Sequence, residues 1–125
     1  MKTIASMIAL ATIALSVASP AQAQSLSSWE QAAANTCASR AHAHWPNAKV
    51  LAVATEGEYA LCSLGDQNVG TEMLLRRHGS YYVYVGGGGG AMAPSDMETL
   101  YKVPASIAEP LVQKLNAALA AHGRS

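Results

Sequence analysis

Two histidines stand two residues apart, His42 and His44, just after Cys37 and just before Trp45. On a strand, residues two apart share a face and could grip one metal ion. On a helix they diverge by about 200°, and the surrounding alanines favour a helix. A shared metal site is therefore not expected. Near a helix C-terminus either imidazole can instead meet free carbonyls or the helix dipole. Glu56 and Glu58 flank Gly57 and read as turn residues rather than an acid and base pair. The chain carries no G-x-S-x-G, no H-E-x-x-H and no nucleophilic cysteine motif. No catalytic residue is assigned, no metal site is assigned and no cofactor is implied. A small periplasmic enzyme or metal-binding protein using His42 or His44 stays the alternative reading.

Cys37 and Cys62 are the two cysteines of the chain. The compartment decides what they do. The opening "MKTIASMIALATIALSVASPAQAQ" has an early charge at Lys2, an apolar run from Ile4 to Val17 and a small-residue site ending at Ala23. It reads as a cleaved signal peptide over residues 1–23, leaving 24–125 as a single domain in a periplasmic or secreted setting. The apolar run of about 14 residues is shorter than the roughly 20 that span a bilayer. An even cysteine count in an oxidising compartment predicts the Cys37–Cys62 disulfide.

Beyond the leader, seven Lys and Arg stand against eight Asp and Glu, a net charge of minus one. Nucleic-acid binding needs a basic stripe that displaces counterions, so that class is excluded.

The first element positions Cys37. "SLSSWEQAAANTCASRAHAHWP" is a helix with a capping box at Ser27 and Glu30, ended by Trp45-Pro46. Trp29, Ala33, Cys37, Ala41 and His44 recur on one face, which predicts that His44 lies on the buried stripe and His42 does not.

The period then changes to that of strands. "KVLAVAT", "EYALCSL", "TEMLLRR" and "SYYVYVG" are separated by Glu56-Gly57, "GDQNVG" and His78-Gly79, which predicts a four-stranded antiparallel meander. With Cys62 bonded to Cys37, Ala60, Cys62 and Leu64 face the helix, while Tyr59, Leu61 and Ser63 face away. Ser95 with Glu98 predicts a second capped start, and Ser106 with Glu109 a third. Ile107, Leu111, Leu115 and Leu119 mark a C-terminal amphipathic helix, with Pro110 delaying its regular part to about Glu109 or Pro110.

The fold class expected is α+β: an N-terminal helix packed on a four-stranded antiparallel meander, plus a C-terminal helix. One helix followed by such a meander resembles the layout of cystatin-like domains, the architecture that includes NTF2-like folds. "QNVGT" differs from the protease-binding Q-x-V-x-G loop of cystatins because its glycine comes one residue early, so inhibition is not carried over.

Five glycines, Gly86 to Gly90, follow the last strand. No lysine succeeds them at P-loop spacing, and a meander is not a βαβ unit, so nucleotide binding is excluded. Close approach by a neighbouring element, or a flexible exit from the sheet, is what such a run provides. Before it, Arg76 and Arg77 alternate in direction, so one of them projects from a given face, and across the His78-Gly79 turn they meet Tyr81, Tyr82 and Tyr84, where guanidinium can stack on phenol. The expected function is a small exported, non-catalytic binding or interaction domain that uses Tyr82, Tyr84 and Arg77. Its ligand would be a protein, a peptide or a small apolar molecule, and a homodimer is compatible with the same face. A structural envelope component is the third reading.

Overall fold

The computed structural model describes residues 26–66, 70–87 and 89–123. The proposed leader and its cleavage site lie outside the described residues. Among the described residues, the order is α1 (Ser28–His42), β1 (Lys49–Glu56), β2 (Tyr59–Gly65), β3 (Gly70–His78), β4 (Tyr81–Gly87), α2 (Pro94–Tyr101) and α3 (Ala105–Gly123). The four strands form one antiparallel sheet in the order β1-β2-β3-β4. No helix among the described residues is long and apolar enough to cross a membrane.

Alternation along the strands divides the side chains between two cores. Val53, Ala60, Cys62, Leu64, Leu75 and Tyr82 meet Ala33, Cys37 and Ala41 of α1. Ala52, Ala54, Tyr59, Leu61 and Leu74 meet Met97, Val103, Leu111 and Leu115 on the other face. The sheet is thus a central layer with helices on both sides, and β2 is buried along its whole length. That explains why β2 carries no charged side chain. Leu61, Leu64, Leu74 and Leu75 are fully buried, each worth about 2 kcal/mol of apolar transfer.

The helix ends follow local chemistry. At α1 the Ser27 hydroxyl accepts from the Glu30 amide at 3.1 Å, and the Glu30 carboxylate accepts from the Ser27 amide at 2.8 Å. The helix stops at His42, with Ala43 as its cap. His44 is therefore exposed, contrary to its expected place on the buried stripe, because the helical phase has ended before it. At α2 the start is Pro94 rather than the Ser95 box, and Asp96 accepts from the Ala93 amide at 3.3 Å. Pro94 carries the preset φ that a first helical turn needs. α2 ends at Lys102 in the left-handed conformation, φ 61°. α3 begins at Ala105, where the Pro104 carbonyl accepts from Ile107 and Ala108, so Ser106 sits inside the first turn. The helix runs on through Pro110 instead of becoming regular there. The missing proline amide leaves only the Ser106 carbonyl without its usual donor, and Ser106 is exposed to water.

The glycine run begins inside β4. Leu75 pairs with Tyr84 but Leu74 with Gly86, so Val85 is the extra residue of a bulge. Gly86 and Val85 consequently both face α2, and a Cβ on Gly86 would overlap the Tyr101 ring. A Cβ on Gly87, whose φ is 137°, would overlap the Glu72 carbonyl. Close approach is therefore the role of the first two glycines. Beyond them the Glu72 carboxylate, largely buried, accepts from the Met92 amide at 2.8 Å. Burial raises the Glu72 pKa, and the Met92 bond works against that rise.

Cys37 and Cys62 form the disulfide, with a sequence separation of 25. Replacing both by alanine should lower stability by about 2–4 kcal/mol, read from urea unfolding as a lower midpoint with a steeper slope, because the freed unfolded chain exposes more surface. An unshifted midpoint would show that the bond does not constrain the unfolded chain. Gly86→Ala should cost about 1–3 kcal/mol through overpacking. The same substitution in a Tyr101→Ala background should cost much less, and a double-mutant cycle measures the difference.

Candidate functional site

The flank of α1 that adjoins β4 carries the most chemically varied surface. Trp29, in the first turn, stands edge-on to Tyr82 with ring centres 5.7 Å apart and planes at 85°. Arg77 of β3, paired across the strands with Tyr82, lays its guanidinium over the Trp29 ring at 4.4 Å. Three helical turns further on, Arg40 lies 3.6 Å above the centre of the Tyr84 ring. The Tyr84 hydroxyl donates to the Gly87 carbonyl at 3.3 Å, which fixes the ring under Arg40.

The expected binding residues are thus brought to one face but not made equivalent. Tyr82 is only 4 % exposed, walled in by Trp29. Tyr84 is half-buried and Arg77 likewise. The Tyr82 hydroxyl is buried without a hydrogen-bond partner. Its pKa is raised by burial, against the pull of the Arg77 charge and with a smaller push from Glu30. Neither Arg40 nor Arg77 forms an ion pair among the described residues, whereas Arg76 pairs with Glu58 and Lys114 with Glu56, each at 2.6 Å.

Beside Tyr84 an open groove of about 580 Å³ is lined by Asn35, Thr36, Ser39, Arg40, Ala43 and His44 of α1 and its cap. These residues lie on the flank next to the buried Ala33, Cys37 and Ala41. Helical spacing from that stripe was the signal available for them; Arg40 has the same seat relative to Thr36 that Cys37 has to Ala33. Backbone geometry adds a second property. The Arg77 amide donates to Glu58 at 2.6 Å, so Arg77 directs its main-chain groups away from β4. Alternation then makes Arg76 with Val83 a hydrogen-bonded pair and leaves the main-chain groups of Tyr82 and Tyr84 directed to the outer edge of the sheet.

His42 and His44 do not converge. The His42 Nε2 lies 2.9 Å from the Ala48 carbonyl and must donate to it, since a carbonyl only accepts. His42 lines a separate groove of about 830 Å³ with Pro46, Asn47, Ala48, Lys49, Leu51, Gly65 and Asp66, at whose rim the Trp45 indole donates to Asp66 at 2.9 Å. His44 belongs to the Tyr84 groove. Among the described residues no three His, Cys, Asp or Glu side chains group so as to hold a metal ion. Glu56 and Glu58, joined to Lys114 and Arg76, are partners in ion pairs across the surface. The chain matches no protein-family model, no curated protein and no solved structure.

Tyr82→Phe removes a buried hydroxyl that has no partner and should raise stability by about 1 kcal/mol, measured by urea unfolding at pH 7. Burial raises the native Tyr82 pKa above its unfolded value, so as pH rises the unfolded chain gives up this proton first. Stability of the parent chain therefore falls as pH rises between the two pKa values, and the substitution should flatten the alkaline limb. A loss of stability in the variant would mean that the hydroxyl has a partner after all.

Proposed function

We propose that this chain is an exported, non-catalytic binding domain whose site is the groove between α1 and β4. Residues 1–23 act as its signal peptide and the working domain begins at Gln24, in a periplasmic or secreted setting. The Cys37–Cys62 disulfide supports that setting, because such bonds persist where thiols are not kept reduced. The α1 and meander half keeps the cystatin-like or NTF2-like layout in this reading, and the layout carries no function with it.

The observation that carries the proposal is Arg40: a guanidinium stacked 3.6 Å over Tyr84, at the mouth of an open groove, with no carboxylate partner among the described residues. A stacked guanidinium keeps its planar N–H donors available for a ligand. Asn35, Thr36 and Ser39 beside it add neutral hydrogen-bonding groups, so the groove suits a polar segment such as a peptide better than a small apolar molecule. In this division of labour Tyr84 and Arg40 touch the ligand, while Trp29, Arg77 and Tyr82 hold that wall in place. The enzyme reading through His42 or His44 draws support from no converging set of side chains.

The test is a screen of short peptides and fragments against the nitrogen-15-labelled domain from Gln24. Bound compounds should shift the amide signals of Thr36, Ser39, Arg40 and Tyr84 together, and Arg40→Ala should weaken those compounds at least about tenfold, as loss of a charge-assisted contact does. Shifts confined to the His42, Leu51 and Asp66 groove would overturn the assignment of the site.

A further inference from the structure

The sheet has two edges, and they are guarded differently. β1 begins at the charged, exposed Lys49, bulges at Leu51 between Val50 and Ala52, and ends at Glu56 in an ion pair with Lys114 of α3. Charge and bulging are what keep an edge from pairing with another chain. β4 reads "YYVYVGG", with no charge and no proline, and with the tyrosines and valines that favour extended backbone. Its bulge comes late, at Val85. The stretch before it is regular.

We infer that the ligand is an extended polypeptide segment that lies along the outer edge of β4 at Tyr84 and alternates carboxylate with apolar side chains. This deepens, and rests on, the assignment of the α1–β4 groove as the binding site. The main-chain groups of Tyr84 are directed outward and the residue is half-buried, so they supply one ladder pair to an incoming strand. Those of Tyr82 are covered along with the rest of that residue, so the ladder is short and side chains must supply the remaining affinity.

Alternation then dictates the ligand. Side chains of an added strand point in turn to the two faces of the sheet. On the α1 face they enter the groove and meet Arg40 with Thr36 and Ser39. A carboxylate is the complement of an unpaired guanidinium, which can take it through two parallel N–H donors while still stacked on Tyr84. On the opposite face the residues flanking Tyr84 are the exposed Val83 and the half-buried Val85, and the complement is apolar. A second copy of β4 has the apolar residues but no carboxylate to offer Arg40, which favours a foreign segment over a homodimer.

Three blocked octapeptides that alternate valine with glutamate, with glutamine or with lysine test this against the domain from Gln24, using titration calorimetry at low salt and amide mapping. The glutamate peptide should bind about tenfold tighter than the glutamine peptide, the lysine peptide should bind weakest, and the preference should shrink as salt is added. Arg40→Gln should bring the glutamate and glutamine affinities together while the domain stays folded, its melting temperature falling by no more than the few degrees that loss of the Tyr84 stack accounts for. Methylating the glutamate peptide's backbone nitrogens should weaken it, because the ladder donors are lost. Equal affinity of the three peptides at the groove would overturn the carboxylate pattern and leave the groove assignment standing. No weakening on methylation would overturn strand addition in the same way. If no peptide shifts the groove signals, the inference and the groove assignment both fall.

Discussion

The bond between Cys37 and Cys62 ties the middle of α1 to the middle of β2, the strand that is buried along its whole length. Everything on the α1–β4 flank inherits its position from that tie. With Cys37 held over Cys62, Ala33 and Ala41 settle on the sheet as small residues that let the helix come close. Rotation of α1 about its axis is then fixed, and Thr36 and Arg40 are delivered to the β4 side. A helix packed through alanines alone has little apolar area with which to set its own rotation, because each alanine contributes a single methyl group. The covalent link supplies what a larger interlocking side chain would supply elsewhere.

On the other face, the same sheet is held by bulk rather than by a bond. Leu111 and Leu115 of α3 and Met97 of α2 are fully buried against Leu61 and Leu74. Tyr101 closes this layer by packing against Gly86. The buried Glu72 fastens the chain after the glycines by accepting from Met92. A carboxylate raised by burial costs stability when ionised, so this fastening is bought with some of the stability that the leucines provide.

Much of this architecture was legible in the residues. Strand alternation assigned Ala60, Cys62 and Leu64 to one face and Tyr59 and Leu61 to the other, and the cysteine count joined the helix to the first set. The capping box at Ser27 marked the start of α1 because two side chains and two amides must satisfy each other there. The end of α1 was not marked as well. Trp45-Pro46 limits where a helix must stop, but nothing forbids it from stopping a turn sooner, and the place of His44 turned on that difference. The bulges at Leu51 and Val85 left no trace, because an extra residue in an apolar run disturbs the period no more than ordinary variation does. The site was half visible: Tyr82, Tyr84 and Arg77 were read as one face, while Arg40 was hidden in a helix whose flank becomes meaningful only once a strand lies beside it. That Trp29 covers Tyr82 is likewise a property of two elements distant in sequence.

The bulge at Val85 also limits what the edge can become. A seven-residue strand of tyrosine, valine and glycine without charge is the composition from which open-ended stacks of sheets grow, each copy templating the next. Val85 breaks the pleat before the strand ends, and Gly87 turns at φ 137° straight after it. Only a short stretch around Tyr84 stays both regular and open. Such an edge can accept one strand yet offers no continuous flat surface for fibre growth.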